Sequence, residues 1–146
     1  MMLSVFKKFP VIATMPERSK DWIRQAERDL EMAKSAMKEG FYEWSCFVAQ
    51  QAAEKAIKAV FQKMGSIAMG HSTLDLLRAL ARRKEIPGEL IEDAKQLDKF
   101  YIPTRYPNGF DSGSPFEYFT MEDAKNAILY CERILRFCKD ILSKEG

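Results

Sequence analysis

The sequence predicts an all-α fold, an up-and-down bundle of four to five helices with a long loop before the last helix. Three observations predict it. Apolar residues recur at spacings of three and four in successive windows. Capping residues and glycine or proline stops bracket those windows. The alternation of β-branched residues that marks half-buried strands is absent. The chain has 146 residues, enough for one domain with a single core. Its composition, 47% hydrophobic and 30% charged, is that of a globular protein and argues against disorder. Residues 1–18 read as an extended N-terminal arm and 19–143 as the bundle. Lys7 and Lys8 precede Phe9-Pro10-Val11-Ile12-Ala13, a faint signal-peptide pattern that Pro10 breaks.

Ser19 is placed to cap the first helix, with Asp21 in its first turn. Trp22, Ala26, Leu30, Ala33 and Met37 form its buried stripe, and Gly40 ends it. The second helix runs from Phe41 to Met64, where Gly65 stops it. At about 100° per residue, Phe41, Val48, Ala49, Ala52, Ala53, Ala56, Ala59 and Val60 share a broad apolar face. Glu43, Gln50, Gln51, Glu54, Lys55, Lys58 and Gln62 share the polar face. Trp44, Phe47 and Phe61 fall in the polar sector. They read either as residues covered by loops or the arm, or as an interface for a partner, where large aromatics serve as anchors.

Ser72 and Asp75 approximate a capping box for a third helix, with Leu74, Leu77 and Leu80 or Ala81 on its apolar side. Arg82-Arg83-Lys84 suits the negative end of its dipole. Pro87 opens a fourth helix bearing Leu90, Ala94, Leu97 and Tyr101, which Pro103 ends. Ile102 to Phe119 follows, with prolines and glycines that exclude a regular helix. A loop of this length in a compact domain is usually functional, and its aromatics argue against disorder. Thr120 and Asp123 cap a fifth helix whose stripe is Ala124, Ile128, Cys131, Leu135, Cys138 and Leu142.

Function classes narrow from composition. A net charge of +2 gives no global signature of nucleic-acid binding, so any such binding needs a local patch. Cys46, Cys131 and Cys138 form no CxxC pair and there is one histidine, too few for a zinc site. Unpaired thiols suit a reducing cytoplasm. No apolar run approaches the roughly 18 residues of a membrane span. The glycine-rich phosphate loop, GxSxG and HExxH are missing.

The candidate residues cluster around the long loop. Arg105 sits in a Pro-flanked turn, where its planar fork suits phosphate or carboxylate. Tyr101 and Tyr106 offer rings for base stacking or a hydroxyl. Asp111 could accept from a sugar hydroxyl or from Arg105. His71, at a helix start, either caps and packs or takes part in binding and proton transfer. Glu54, Lys55 and Lys58 are charged candidates on the second helix.

Five blocks carry a family resemblance: Ala26-Glu-Arg-Asp-Leu30; Phe47-Val-Ala-Gln-Gln-Ala-Ala-Glu-Lys-Ala-Ile-Lys-Ala59; His71-Ser-Thr-Leu74; Tyr101-Ile-Pro-Thr-Arg-Tyr-Pro107; and Asp123-Ala124. Together, over about Asp21 to Leu142, they resemble the HEPN domain. The resemblance implies a four-to-five-helix bundle that commonly homodimerises and binds nucleotides or RNA. Many members are ribonucleases of defence and toxin–antitoxin systems, and prokaryotic single-domain members often pair with a small nucleotidyltransferase of the minimal type. It implies no cofactor. The family's ribonuclease motif, an Arg followed four to six residues later by a His, is missing: His71 precedes Arg78 and every later arginine, and Arg105 is followed by no imidazole. Asp111 is the substitute base that the loop offers. Three readings stand: a nucleotide- or RNA-binding module paired with a nucleotidyltransferase, an RNA-cleaving toxin, and a non-catalytic homodimeric interaction protein. Catalytic candidates are Arg105, Asp111 and His71. Binding candidates are Tyr101, Arg105, Tyr106, Asp111, Glu54 and Lys58. Interface candidates are Trp44, Phe47 and Phe61.

Overall fold

A computed structural model describes residues 6–8 and 16–145. Five helices form the bundle: α1 (Ser19–Lys38), α2 (Tyr42–Lys63), α3 (Thr73–Leu80), α4 (Gly88–Asp98) and α5 (Met121–Glu145). The all-α class holds, with one addition. β1 (Phe6–Lys8) pairs antiparallel with β2 (Ser66–Ala68), with Lys7 opposite Ile67. Three-residue strands are too short to produce the alternation that reveals longer ones. Of the predicted arm, Phe6–Lys8 and Pro16–Arg18 are described; Pro10 and the apolar residues around it lie outside the described residues.

α2 is the centre of the bundle, packed against α1, α5, α3 and β2. Ala49, Ala52, Ala53, Ala56 and Ala59 are wholly buried, and such small side chains let neighbouring helices approach closely. Neighbours on nearly every side overturn its two-faced reading. Gln50 and Glu54, expected on the polar face, are buried. Phe61 has no exposed surface and belongs to the core, so it is not available to a partner as an interface residue. Phe41, expected on the apolar face, is the N-cap residue and projects into solvent at the helix end. Ala26, Leu30 and Ala33 of α1, and Ala124, Ile128, Cys131, Leu135 and Cys138 of α5, are buried as their periodicity predicts.

Helix ends follow local chemistry. Ser19 does not cap α1; it is the first helical residue, and its N–H donates to Glu17 at 2.5 Å. Ser72 does cap α3, its hydroxyl accepting from Asp75 N–H at 3.0 Å. Gly40 and Gly65, at φ +87° and +75°, provide the left-handed turns after α1 and α2. α4 ends at Asp98, five residues before Pro103. The N–H groups of Lys99, Phe100 and Tyr101 bond three residues back, tightening the chain out of the α-ladder. At α5 the predicted capping box is complete: Asp123 N–H donates to Thr120 Oγ1 at 3.1 Å and Thr120 N–H to Asp123 Oδ2 at 2.9 Å.

The long loop is folded. It contains two 3-10 turns, Pro107–Gly109 and Pro115–Glu117. Phe110 stacks on Tyr118 at 4.1 Å, and Phe119 wedges edge-on against Phe110 and Phe100. Tyr118 hydroxyl closes the loop on Ser112 carbonyl. Among the described residues no helix is long and apolar enough to cross a membrane.

Candidate functional site

Four segments meet at one site: the middle of α2, the start of α3, the end of α4 and the turn that follows it. Glu54 on α2 is 5% exposed. A buried carboxylate needs partners, and Glu54 has three. Lys58 Nζ donates to Oε2 at 2.9 Å, Gln51 Nε2 to Oε1 at 3.3 Å, and His71 Nδ1 lies 3.2 Å from Oε1. A carboxylate can only accept, so His71 Nδ1 carries the hydrogen and Nε2 is the unprotonated nitrogen of the neutral ring. The His71 side chain is 58% exposed. One edge of the imidazole is therefore held by a buried acid while more than half of the side chain stays open to solvent.

The His71 backbone is held too. Gln50 Nε2 donates to His71 carbonyl at 2.7 Å. The next residues are tied to α4. Asp98 Oδ1 accepts from Thr73 N–H at 2.8 Å and Thr73 Oγ1 at 2.6 Å, and Oδ2 accepts from Ser72 Oγ at 2.7 Å and Leu74 N–H at 3.1 Å.

The turn after α4 completes the site. Tyr101 stacks on His71, with ring centroids 5.2 Å apart and planes 17° apart. Arg105 lies over three rings: its Cζ is 4.3 Å from the centre of Phe47, 4.6 Å from Tyr101 and 5.2 Å from Tyr106. Arg105 Nε donates to Tyr101 carbonyl at 2.8 Å. Its two terminal nitrogens make no hydrogen bond with a described residue. The aromatic cage fixes the guanidinium plane and leaves its fork unspent. A pre-ordered Arg fork with open donors is a phosphate or carboxylate receptor.

The predicted residues thus divide. Tyr101, Arg105, Tyr106 and His71 come together. Glu54 and Lys58 join them as support: both are largely covered and paired with each other, so neither offers a free charge to a ligand. Asp111 is exposed and makes no hydrogen bond or ion pair with a described residue; it does not pair with Arg105. Lys55 pairs with Asp29 on α1, away from this cluster. Phe47 packs under Arg105 and edge-on against Trp44, which is itself exposed. Sequence reasoning missed Asp98, Gln50 and Gln51. Asp98 carries one local signal, a negative charge on the last residue of a helix, where the dipole disfavours it.

The cysteines lie elsewhere. Burial pushes the Cys46 thiol up to about 12, with Asp123 and Glu43 adding to it. Burial likewise holds Cys131 at about 12, and raises Cys138 further. They are inert thiols of the core.

Comparison with known proteins agrees with this architecture. The family model of the HEPN domain matches residues 19–141. The chain is 31% identical to the toxin candidate MJ1304 of Methanocaldococcus jannaschii over 136 residues, 87% of this chain and 90% of that protein. It resembles the crystal structure of TT1696 from Thermus thermophilus with a TM-score of 0.83 and 42% identity, covering 86% of this chain and 98% of that one. An archaeal HEPN homologue, ST0689, gives a TM-score of 0.73 and 43% identity over 86% and 98% of the two chains. A HEPN domain protein of Thermotoga maritima, TM0613, gives 0.70 and 46% over 84% and 98%. The match across nearly the whole bundle, at this identity, shows that the chain belongs to the HEPN domain family.

Proposed function

We propose that this HEPN domain is a nucleotide- or RNA-binding module, one half of a pair with a small nucleotidyltransferase. The observation that supports it is Arg105, caged by Phe47, Tyr101 and Tyr106 with its terminal donors open, one ring away from an exposed imidazole. A phosphodiester takes the guanidinium fork. Half-exposed Tyr106 and the His71 ring offer faces on which an unpaired base stacks. Titration with short single-stranded RNAs, ATP and GTP tests the reading, with the purified chain and with its nucleotidyltransferase partner. Binding that weakens at least about tenfold in Arg105→Ala supports it, since such a loss corresponds to roughly 1.4 kcal/mol. No binding in either preparation ends it.

The Glu54–His71 contact favours a second reading, an RNA-cleaving toxin, in keeping with the toxin candidate among its relatives. With Nδ1–H on Glu54, His71 Nε2 is free to take the proton of a ribose 2′-hydroxyl. The 2′-oxygen attacks phosphorus, the bond to the 5′-oxygen breaks, that oxygen takes up a proton from water while His71 returns its own to solvent, and a 2′,3′-cyclic phosphate and a 5′-hydroxyl result. Arg105 holds the phosphoryl oxygens as charge builds on them. Cellular RNA incubated with wild type and His71→Ala decides the matter. Equal fragmentation by both removes His71 from the chemistry.

For assembly we propose a homodimer that buries the exposed apolar patch of Met32, Phe41 and Trp44. These residues line a shallow groove with Ser35, Ala36 and Glu39, where α1 ends and α2 begins.

A further inference from the structure

We propose that Asp98 is a positioning residue that joins the two halves of this site, and so sets the ring geometry of His71 from 27 residues away in sequence. The proposal rests on the binding site described above. His71 and the Tyr101–Arg105 turn belong to separate segments, before α3 and after α4. Asp98 bridges them at the atomic level. Its carboxylate takes five hydrogen bonds, from Gln50 Nε2 at 3.4 Å, Ser72 Oγ, Thr73 N–H, Thr73 Oγ1 and Leu74 N–H. Four of these donors lie within three residues of His71. On its other side, Asp98 carbonyl accepts from Tyr101 N–H at 3.2 Å, and Tyr101 carries both the stacked His71 ring and the Arg105 guanidinium.

A simple helix cap would not need this arrangement. Ser72 already caps α3 through Asp75 N–H, and Asp98 adds the Thr73 and Leu74 N–H groups at the same terminus. That terminus would otherwise attract an anion of the ligand. With Asp98 seated there, the anion position is filled from within, and Arg105 is left as the open phosphate donor of the cluster. Asp98 also stands at the C-terminal end of α4, where its charge opposes the dipole. The cost is offset across the interface rather than within its own helix.

The chain contains a single histidine, so long-range 15N–1H correlation spectra give one set of imidazole signals. In wild type the neutral ring is expected as the Nδ1–H tautomer. Asp98→Asn places an amide donor against Leu74 N–H or Thr73 N–H, and shifts the ring toward the Nε2–H form. RNA affinity falls about tenfold with it, the loss of one charge-assisted bond network. Thr73→Val removes the Oγ1 bonds to Asp98 and to Ala94 carbonyl but keeps the Thr73 N–H bond to Asp98, and moves both readouts the same way by less, which guards against Asp98→Asn failing to fold. Asp93→Asn is the control: Asp93 lies in the same helix and is more deeply buried than Asp98, but faces Arg133 of α5. It is expected to alter the melting temperature and leave the His71 spectrum alone. If Asp98→Asn and Thr73→Val melt earlier yet keep the wild-type tautomer and affinity, Asp98 is only a structural cap and the proposal is overturned. Absence of RNA binding in wild type defeats the binding reading, while the tautomer measurement still decides the role of Asp98.

Discussion

Arg105 shows how much of a residue's function depends on what surrounds it. Guanidinium flatness lets it lie over Phe47, Tyr101 and Tyr106 at once while Nε bonds Tyr101 carbonyl. Lysine has the charge but neither the plane nor the fork. Arg105→Lys is therefore expected to raise the dissociation constant for a short RNA by about tenfold, close to the effect of Arg105→Ala. Fluorescence anisotropy at fixed salt reads the difference. Full retention of affinity in the lysine variant would reduce the site to a point charge. The thiols give a second prediction at this scale. Cys46, Cys131 and Cys138 are buried and free, with ionisation suppressed. A chromogenic disulfide reagent should leave all three unlabelled in the native protein near neutral pH and label all three in denaturant.

Among the elements, the start of α5 and the centre of α2 make the clearest cases. The Thr120–Asp123 box satisfies two backbone N–H groups through reciprocal side-chain bonds. Thr120→Ala is expected to destabilise the protein by about 1 kcal/mol, read from urea unfolding at constant slope. In α2 the limit is space. Ala52 and Ala53 have no accessible surface in a helix packed against both α1 and α5. Enlarging either to Leu forces those helices apart and is expected to cost roughly 1–3 kcal/mol, though leucine is an excellent helix former. Stabilisation by Ala53→Leu would show that the close approach of the helices is not a constraint.

At the scale of the molecule, burial couples stability to pH. An unfolded cysteine ionises near 9.0, whereas Cys46 and Cys131 are held near 12 in the fold. A group raised on folding contributes its full stability below the unfolded value and loses it as pH rises through the folded one. The conformational stability should therefore decline between about pH 9 and 12, and Cys46→Ala should flatten that slope in urea melts. Assembly is the other whole-molecule property. Trp44→Glu introduces a charge at the centre of the Met32–Phe41–Trp44 patch. Light scattering is expected to show a dimer for wild type and a monomer for this variant. A wild-type monomer at high concentration would contradict the proposed interface.

Much of the fold was legible in the sequence. The stripes of α1 and α5 follow from a 3.6-residue period, the breaks at Gly40 and Gly65 from glycine's access to left-handed backbone, and the α3 and α5 starts from Ser72 and Thr120. These are local rules, and the residues that obey them are near neighbours in the chain. The site was legible only in pieces. Arg105 and its tyrosines declared themselves through a rigid turn, and His71 through being the sole imidazole. Tertiary structure alone decided that α2 would be covered on nearly all sides, which buried Gln50, Glu54 and Phe61 against the pattern. It alone stacked His71 on Tyr101, put Glu54 behind the imidazole and seated Asp98 at the start of a different helix. The reason is physical: periodicity and capping act over one or two turns of chain, whereas a buried carboxylate must find its donors wherever the packed helices bring them.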